Sequence, residues 1–198
     1  CNSEFIKISS NKLKINNYLK KSSHAKKHII KTDSNYKKFP KNKKIVAKII
    51  DGVGSENLFI FNDRHELEKN KKFIKEKHIF QEFIEGNIVS INIISNGKKK
   101  FIISINEQIY KKKSNNEIIL DSINIGKFNY MYDLFKTFSS IILNNFEGSY
   151  GFIGIDAILT DENKILFLEI NPRFTTSYIG LSKSLNFNPL QALFDKEF

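Results

Sequence analysis

The stretch GFIGIDAILTDENKILFLEINPR, residues 151–173, constrains this chain more than any other. Two apolar runs flank the turn-forming Asp161-Glu162-Asn163, which predicts a β-hairpin with strands over 151–160 and 164–170. In the first strand Asp156 sits between Ile155 and Ala157. In the second, Glu169 and Asn171 flank Ile170, so strand alternation turns both polar side chains to one face. The hairpin sets Asp156 roughly opposite the 167–169 region. Three hard oxygen donors then converge from neighbouring strands, a set suited to Mg²⁺ (or Mn²⁺) bridging nucleotide phosphates. Arg173 follows two residues after Asn171, where its planar fork could hold a phosphoryl group. One carboxylate in a strand usually faces solvent. Three spaced donors plus an arginine, in runs whose other face is apolar, favour a site.

Around this hairpin the chain reads as α+β. Residues 11–22 read as a short, very basic helix, with Leu13, Ile15 and Leu19 at helical spacing. Residues 28–31 and 44–50 read as strands, and DGVGSEN at 51–57 as a glycine-containing turn between β-like runs. Residues 62–70 read as a helix behind an Asn/Asp cap. Strands are expected at 79–84, 88–95 and 100–105, the last two joined by an Asn96-Gly97 hairpin. Residues 127–146 form the best helix, with Phe128, Met131, Phe135, Phe138, Ile142 and Phe146 along one face, and a helical tail starts at Thr176.

Composition narrows the function classes. The 198 residues suffice for one large domain or two small ones, and 40% hydrophobic content supports a core. Net charge is +11, but its placement matters more. Residues 1–50 hold fourteen lysines against Glu4 and Asp33, a local net of +12; the other 148 residues hold eighteen basic and nineteen acidic groups. Arg64 and Arg173 are the only arginines, which fits codon bias better than nucleic-acid reading. Tyr18, Tyr36 and Phe39 are too sparse among the lysines for base stacking, so no nucleic acid is expected as partner. No apolar run is long enough to span a bilayer, so no membrane is expected either. One cysteine, Cys1, excludes an internal disulfide and a multi-cysteine metal site. His24, His28, His65 and His78 lack ligand spacing. The first residue is not Met, and a missing natural beginning is expected in preference to a lipid-bearing Cys1.

Asp156, then Glu169-x-Asn171 thirteen residues on, followed by Pro172-Arg173, resembles the metal-binding end of the ATP-grasp carboxylate–amine ligases. The resemblance continues upstream in the family's order. Lys12, after Asn11, looks like the family's first ATP lysine, and Lys48 like the second. Lys48 also interrupts the apolar run IVAKII, where a lysine needs a reason. Gly52, Gly54 and Ser55 match the mobile loop that closes over the phosphates. Gln81, Glu82, Phe83 and Ile84, ahead of Glu85 and Gly86, look like the hinge strand whose backbone recognises adenine. Asn87-Ile88-Val89 departs from the family, which often carries an acidic residue there for the ribose hydroxyls.

The resemblance implies two α+β lobes with antiparallel sheets clasping ATP. Residues 1–10 would be a remnant of, or linker from, an absent N-terminal α/β lobe; 11–83 the smaller lobe with the phosphate loop; 84–198 the larger lobe with the metal site. It implies an ADP-forming carbon–nitrogen ligase working through an acyl phosphate. Asp156, Glu169 and Asn171 would hold the metal, while Lys48 and Arg173 would have catalytic charge roles. Residues 171–181 resemble the tyramine–glutamate ligase branch, with Arg173, Thr175, Thr176 and Ser177 on the substrate; a helix N-cap cluster is the competing reading of those hydroxyls. The expected partners are a small-molecule carboxylate and amine, the compartment the cytoplasm, with a homo-oligomer left open. Rival readings are another amino-acid or peptide ligase of this fold, a basic nucleic-acid-binding module and an inactive scaffold.

Overall fold

A computed structural model of the chain describes residues 1–52, 54, 56–185, 189 and 191. Its elements in chain order are α1 (Ser3–Ser9), α2 (Lys12–Leu19), β1 (Thr32–Asp33), β2 (Ile45–Ile49), β3 (Leu58–Phe61), α3 (Arg64–Lys69), β4 (His78–Glu82), β5 (Asn87–Asn96), β6 (Lys100–Lys112), β7 (Glu117–Asn124), α4 (Tyr132–Leu143), β8 (Tyr150–Leu159), β9 (Ile165–Asn171) and α5 (Ser177–Ser184). Short polar side chains start the first three helices. Asn2, Asn11 and Asp63 accept hydrogen bonds from Phe5, Lys14 and Glu66 amides and satisfy donors that the helices cannot.

The strands form one sheet in the order β1-β4-β2-β3-β7-β6-β5-β8-β9, every ladder antiparallel. The two expected sheets are therefore joined. The joint is narrow: β3 meets β7 only at Leu58↔Ile118 and Phe59↔Glu117. Apolar packing still divides into two bodies. Val89, Ile91 and Ile93 of β5 and Ile153, Ile155 and Ala157 of β8 bury one sheet face beneath α4, α1 and α2. Phe135, Phe138 and Ile142 come down from α4, Phe5 and Ile8 from α1, and Ile15 and Leu19 from α2. A smaller core gathers Phe39, Ile45, Ala47, Phe59, Phe61, Leu67 and Phe80 around β2–β4. Each fully buried Phe or Ile contributes about 1.5–3 kcal/mol by leaving water.

Several elements differ from expectation. Residues 1–10 include helix α1, whose Phe5 and Ile8 sit in the larger core. The expected strand at 28–31 is instead a 3₁₀ turn at Lys26–His28 followed by a single parallel bridge from Ile29 to Phe167. There, the apolar residues cover the exposed edge of β9 rather than extend a ladder. The long helix expected over 127–146 is Tyr132–Leu143, preceded by a 3₁₀ turn at Asn129–Met131. Phe128 and Phe146 lie beyond its ends yet remain buried, so the apolar stripe is longer than the helix. Strand β6 runs well past the expected 105, and β7 was not anticipated. Both hairpins fall where the turn residues put them, with Gly97 at φ 88 and Asn163 at φ 58. Among the described residues no helix is long and apolar enough to cross a membrane.

Candidate functional site

The face of the large sheet opposite its main core carries the polar residues. Ser90 and Asn92 of β5 pair with Asp156 and Gly154 of β8. Across from β8, a bulge in β9 follows Asp156↔Glu169 with Ala157↔Phe167, so Leu168 is the extra residue. The bulge places Leu168 and Glu169 together on the site side while Phe167 and Ile170 stay in the core. Asp156 and Glu169 are thereby direct neighbours across the hairpin.

Two lysines arrive from the other elements. Lys12, at the first turn of α2, reaches Glu169 Oε2 at 3.0 Å and donates to the Gly52 carbonyl at 2.6 Å. Lys48, in the middle of β2, is 8% exposed and donates to Gln81 Oε1 at 2.9 Å. Gln81 in turn donates to Thr32 Oγ1 at 2.9 Å, so three adjacent strands hold the ammonium in place. Of the fourteen lysines in residues 1–50, only Lys12 and Lys48 are not exposed. Burial pulls Lys48 down from its ordinary 10.5 to about 8, with Lys12 adding to the fall and Glu169 and Asp156 opposing it.

The carboxylates split. Burial, then the charge of Glu169, pushes Asp156 well above the ordinary range. Burial works against Glu169 also, but Lys12 and Lys48 outweigh it and hold Glu169 below its usual value. Gln108 Nε2 and Asn171 Nδ2 donate to the two oxygens of Asp156 at 3.3 and 3.1 Å. Asn171 also lies 3.4 Å from Glu169 Oε1, and its Oδ1 accepts from Arg173 at 3.1 Å. With acceptors on one side and a guanidinium on the other, the amide orientation is dictated by its neighbours.

Among the described residues no cluster of three His, Cys, Asp or Glu could hold a metal, and the oxygen donor beside the two carboxylates is the Asn171 amide. The donor set fits a hard divalent cation: two adjacent carboxylates, one driven toward protonation by burial and by the other's charge, with an amide oxygen one half-turn away. Oδ1 ligation by Asn171 requires that half-turn and the loss of its bond to Arg173.

One cavity of about 250 Å³ joins these groups. Lys12, Lys48, Gly52, Gln81, Glu82, Phe83, Ile84, Asp156 and Glu169 all line it. Its apolar wall includes Val46, Ile60, Ile88, Ile118, Ile158 and Leu168, beside the charged groups. These wall residues, with Gln108 and Tyr110, escaped the sequence reading; for Gln108 the available signal was its alternation with Asn106 and Ser104 along β6. The amides of Glu82 and Phe83 donate to the Lys31 and Lys44 carbonyls, so neither is offered to the cavity, while the Gln81 side chain serves Lys48. Gly54 has φ 67 and is exposed, and Ser55 lies outside the described residues.

Asn171 and Arg173 stand next to the cavity, with Arg173 exposed. Thr176 is exposed and makes no side-chain cap on α5, so the N-cap reading of that hydroxyl does not hold. Thr175 and Ser177 both donate to Asn92 Oδ1 at 3.0 Å, and Asn92 Nδ2 donates to Ser104 at 3.0 Å. The 173–177 turn is thus tied to the floor of the sheet. Gly154 permits the approach, since a Cβ there would meet Thr175 Cγ2 at 2.4 Å. Asn92→Ala is expected to destabilise the protein by about 2 kcal/mol, because it removes the acceptor shared by Thr175 and Ser177, which keep each other at 2.7 Å, and the amide that donates to buried Ser104. Urea unfolding of the variant against wild type measures it.

Residues 9–177 match the ATP-grasp domain. A tyramine–L-glutamate ligase from Methanocaldococcus jannaschii is 33% identical over 183 residues, 91% of this chain and 48% of that protein. A tyramine–L-glutamate ligase from Methanocaldococcus fervens is 33% identical over 154 residues, 76% of this chain and 45% of that protein. The crystal structure of an ATP-grasp superfamily protein from Archaeoglobus fulgidus superposes with a TM-score of 0.72 at 20% identity, covering 96% of this chain and 54% of that one. The chain spans about half the length of the curated relatives it matches. Its fold and the greater part of its sequence make it a member of the ATP-grasp family.

Proposed function

We propose that the chain carries the nucleotide and metal machinery of an ADP-forming carbon–nitrogen ligase, joining glutamate to tyramine through an acyl phosphate. The observation that carries this reading is a cavity in which an apolar wall shares the space with Lys12, Lys48, Asp156 and Glu169. The apolar wall suits an adenine ring, and the charged groups suit its phosphates. Asp156, Glu169 and Asn171 would hold Mg²⁺ or Mn²⁺, which supplies charge neutralisation on the transferring phosphoryl group. Lys48, desolvated and fixed by Gln81, gains more from a phosphate oxygen than a solvated lysine would. Lys12 joins the phosphate loop, at the Gly52 carbonyl, to the metal side of the site. Gly52, Gly54 and Ser55 would shield the acyl phosphate from water.

The substrate carboxylate attacks the γ-phosphorus and ADP leaves; the amine then attacks the acyl carbon, phosphate leaves, and the nitrogen gives up its proton. Arg173, exposed beside Asn171, would orient the carboxylate and its phosphoryl group. Thr175 and Ser177 act in this scheme by fixing the Arg173 turn through Asn92, and exposed Thr176 would be the hydroxyl nearest to substrate. A small carboxylate and a small amine are the proposed partners, and the cytoplasm the proposed compartment. The test is ADP release by the full chain with Mg²⁺·ATP and glutamate across a panel of amines. Release well above the amine-free background with tyramine is expected. No release with any pair, while calorimetry shows ATP bound, overturns ligation in favour of an inactive scaffold.

A further inference from the structure

Strand β8 presents Phe152, Gly154 and Asp156 on the same face, so the site side of the sheet continues beyond the carboxylates. Asp156 and Phe152 are four residues apart, ~13 Å along the strand. Thr175 fills the gap over Gly154. Beyond it, three aromatic rings meet: Phe174 lies 4.9 Å from Phe152 and 4.8 Å from Tyr178, and Phe152 meets Tyr178 edge-on at 5.6 Å. Phe152 is buried, packed with Ile94 and Leu181. Phe174 is 44% exposed although its ring is anchored on two others. It directly follows Arg173, whose guanidinium bonds Asn171 on one side and the Phe174 carbonyl on the other.

We propose that the open face of Phe174, backed by Phe152 and Tyr178, is the seat for the aromatic ring of the amine substrate, making this turn the determinant of amine choice. The inference rests on the ligase reading above and names the substrate class of that same site. The acyl group is activated where Arg173 and the carboxylates converge, so the amine nitrogen has to arrive there. A ring two carbons from that nitrogen then falls beside the next residue, Phe174. An anchored, exposed aromatic surface recognises a ring by offset or edge-on stacking, which an aliphatic chain cannot reproduce.

The experiment measures kcat/KM of the full chain for tyramine and for 3-methylbutylamine, an aliphatic amine of similar reach, with glutamate and Mg²⁺·ATP. It compares wild type with Phe174→Ala and Phe174→Leu, each checked for folding by thermal melting. Wild type is expected to prefer tyramine at least tenfold, and both variants are expected to lose most of that preference, Phe174→Leu although it keeps the apolar volume. Equal preference in wild type and variants overturns the proposal, as does a changed oligomeric state with the preference intact. Saturation-transfer NMR on the tyramine ring protons separates this from the ligase reading. If no amine supports ADP release, saturation that reaches the ring in wild type and is lost in both variants keeps the seat and sinks the ligation. Equal saturation, or none in wild type, sinks the seat.

Discussion

Glu169→Ala should abolish metal-dependent ADP formation, by about 10³-fold or more, while the protein stays folded. Glu169 is a proposed metal ligand, the ion-pair partner of Lys12 and the neighbour that raises Asp156. Removing one member of a buried pair ordinarily costs 3–5 kcal/mol because it strands a charge. Here Asp156 stands directly across the hairpin and already interacts with both lysines. Burial still pushes Asp156 up once Glu169 is gone, but the added repulsion of Glu169 is lost while the pull of Lys12 remains, so Asp156 takes over as the carboxylate facing Lys12. Fold and function therefore separate in this variant. Its melting temperature should stay within about 5 °C of wild type, while Mn²⁺ binding followed by electron paramagnetic resonance falls with activity. Normal turnover by Glu169→Ala would remove the metal assignment.

The legible part of this site lay in residues that break an apolar pattern. Asp156 inside GFIGIDAIL and Lys48 inside IVAKII have no place in a buried strand unless a partner waits for them, and both line the cavity. Lys12 breaks nothing; among fourteen lysines only its place in the family's order singled it out, and its lower exposure then agreed. Asn92 was illegible for the opposite reason. Val-Ser-Ile-Asn-Ile over 89–93 alternates like a half-exposed strand, which puts Ser90 and Asn92 in water. Both are buried: the 173–177 turn comes back over Asn92, and Ser90 accepts from Asn106 of β6. The Leu168 bulge and the β3–β7 joint depend on long-range register, which local pattern does not encode. Strand β7 hid behind the charges of Lys111–Lys113, Glu117 and Asp121, which lie toward its open surface.

Lys48→Met should weaken ATP binding by about 10²-fold or more and leave the protein as stable as before, or up to about 2 kcal/mol more stable at pH 7. The sign follows from protonation. An unfolded chain keeps the lysine proton up to its ordinary 10.5, whereas the folded protein releases it near 8. Between those values the unfolded state holds more protons, so this group makes stability rise with pH across the window; below pH 8 it costs the fold about 3 kcal/mol. Methionine removes that cost but strands Gln81 Oε1, which returns about 1–3 kcal/mol. The variant should therefore lose its advantage as pH rises from 8 to 10.5 and end about 1–3 kcal/mol less stable than wild type, measured by urea unfolding at several pH values. Nucleotide binding should show the converse. A phosphate beside Lys48 favours the ammonium, so wild-type ATP affinity should fall by about tenfold per pH unit above 8, with proton uptake visible by calorimetry in buffers of different ionisation enthalpy. Lys12, Glu169 and Asp156 face the same space. A Lys48→Met variant that binds ATP weakly with no pH dependence above 8 would assign the effect to Lys48. Persistence of the pH dependence in that variant would take the effect away from Lys48.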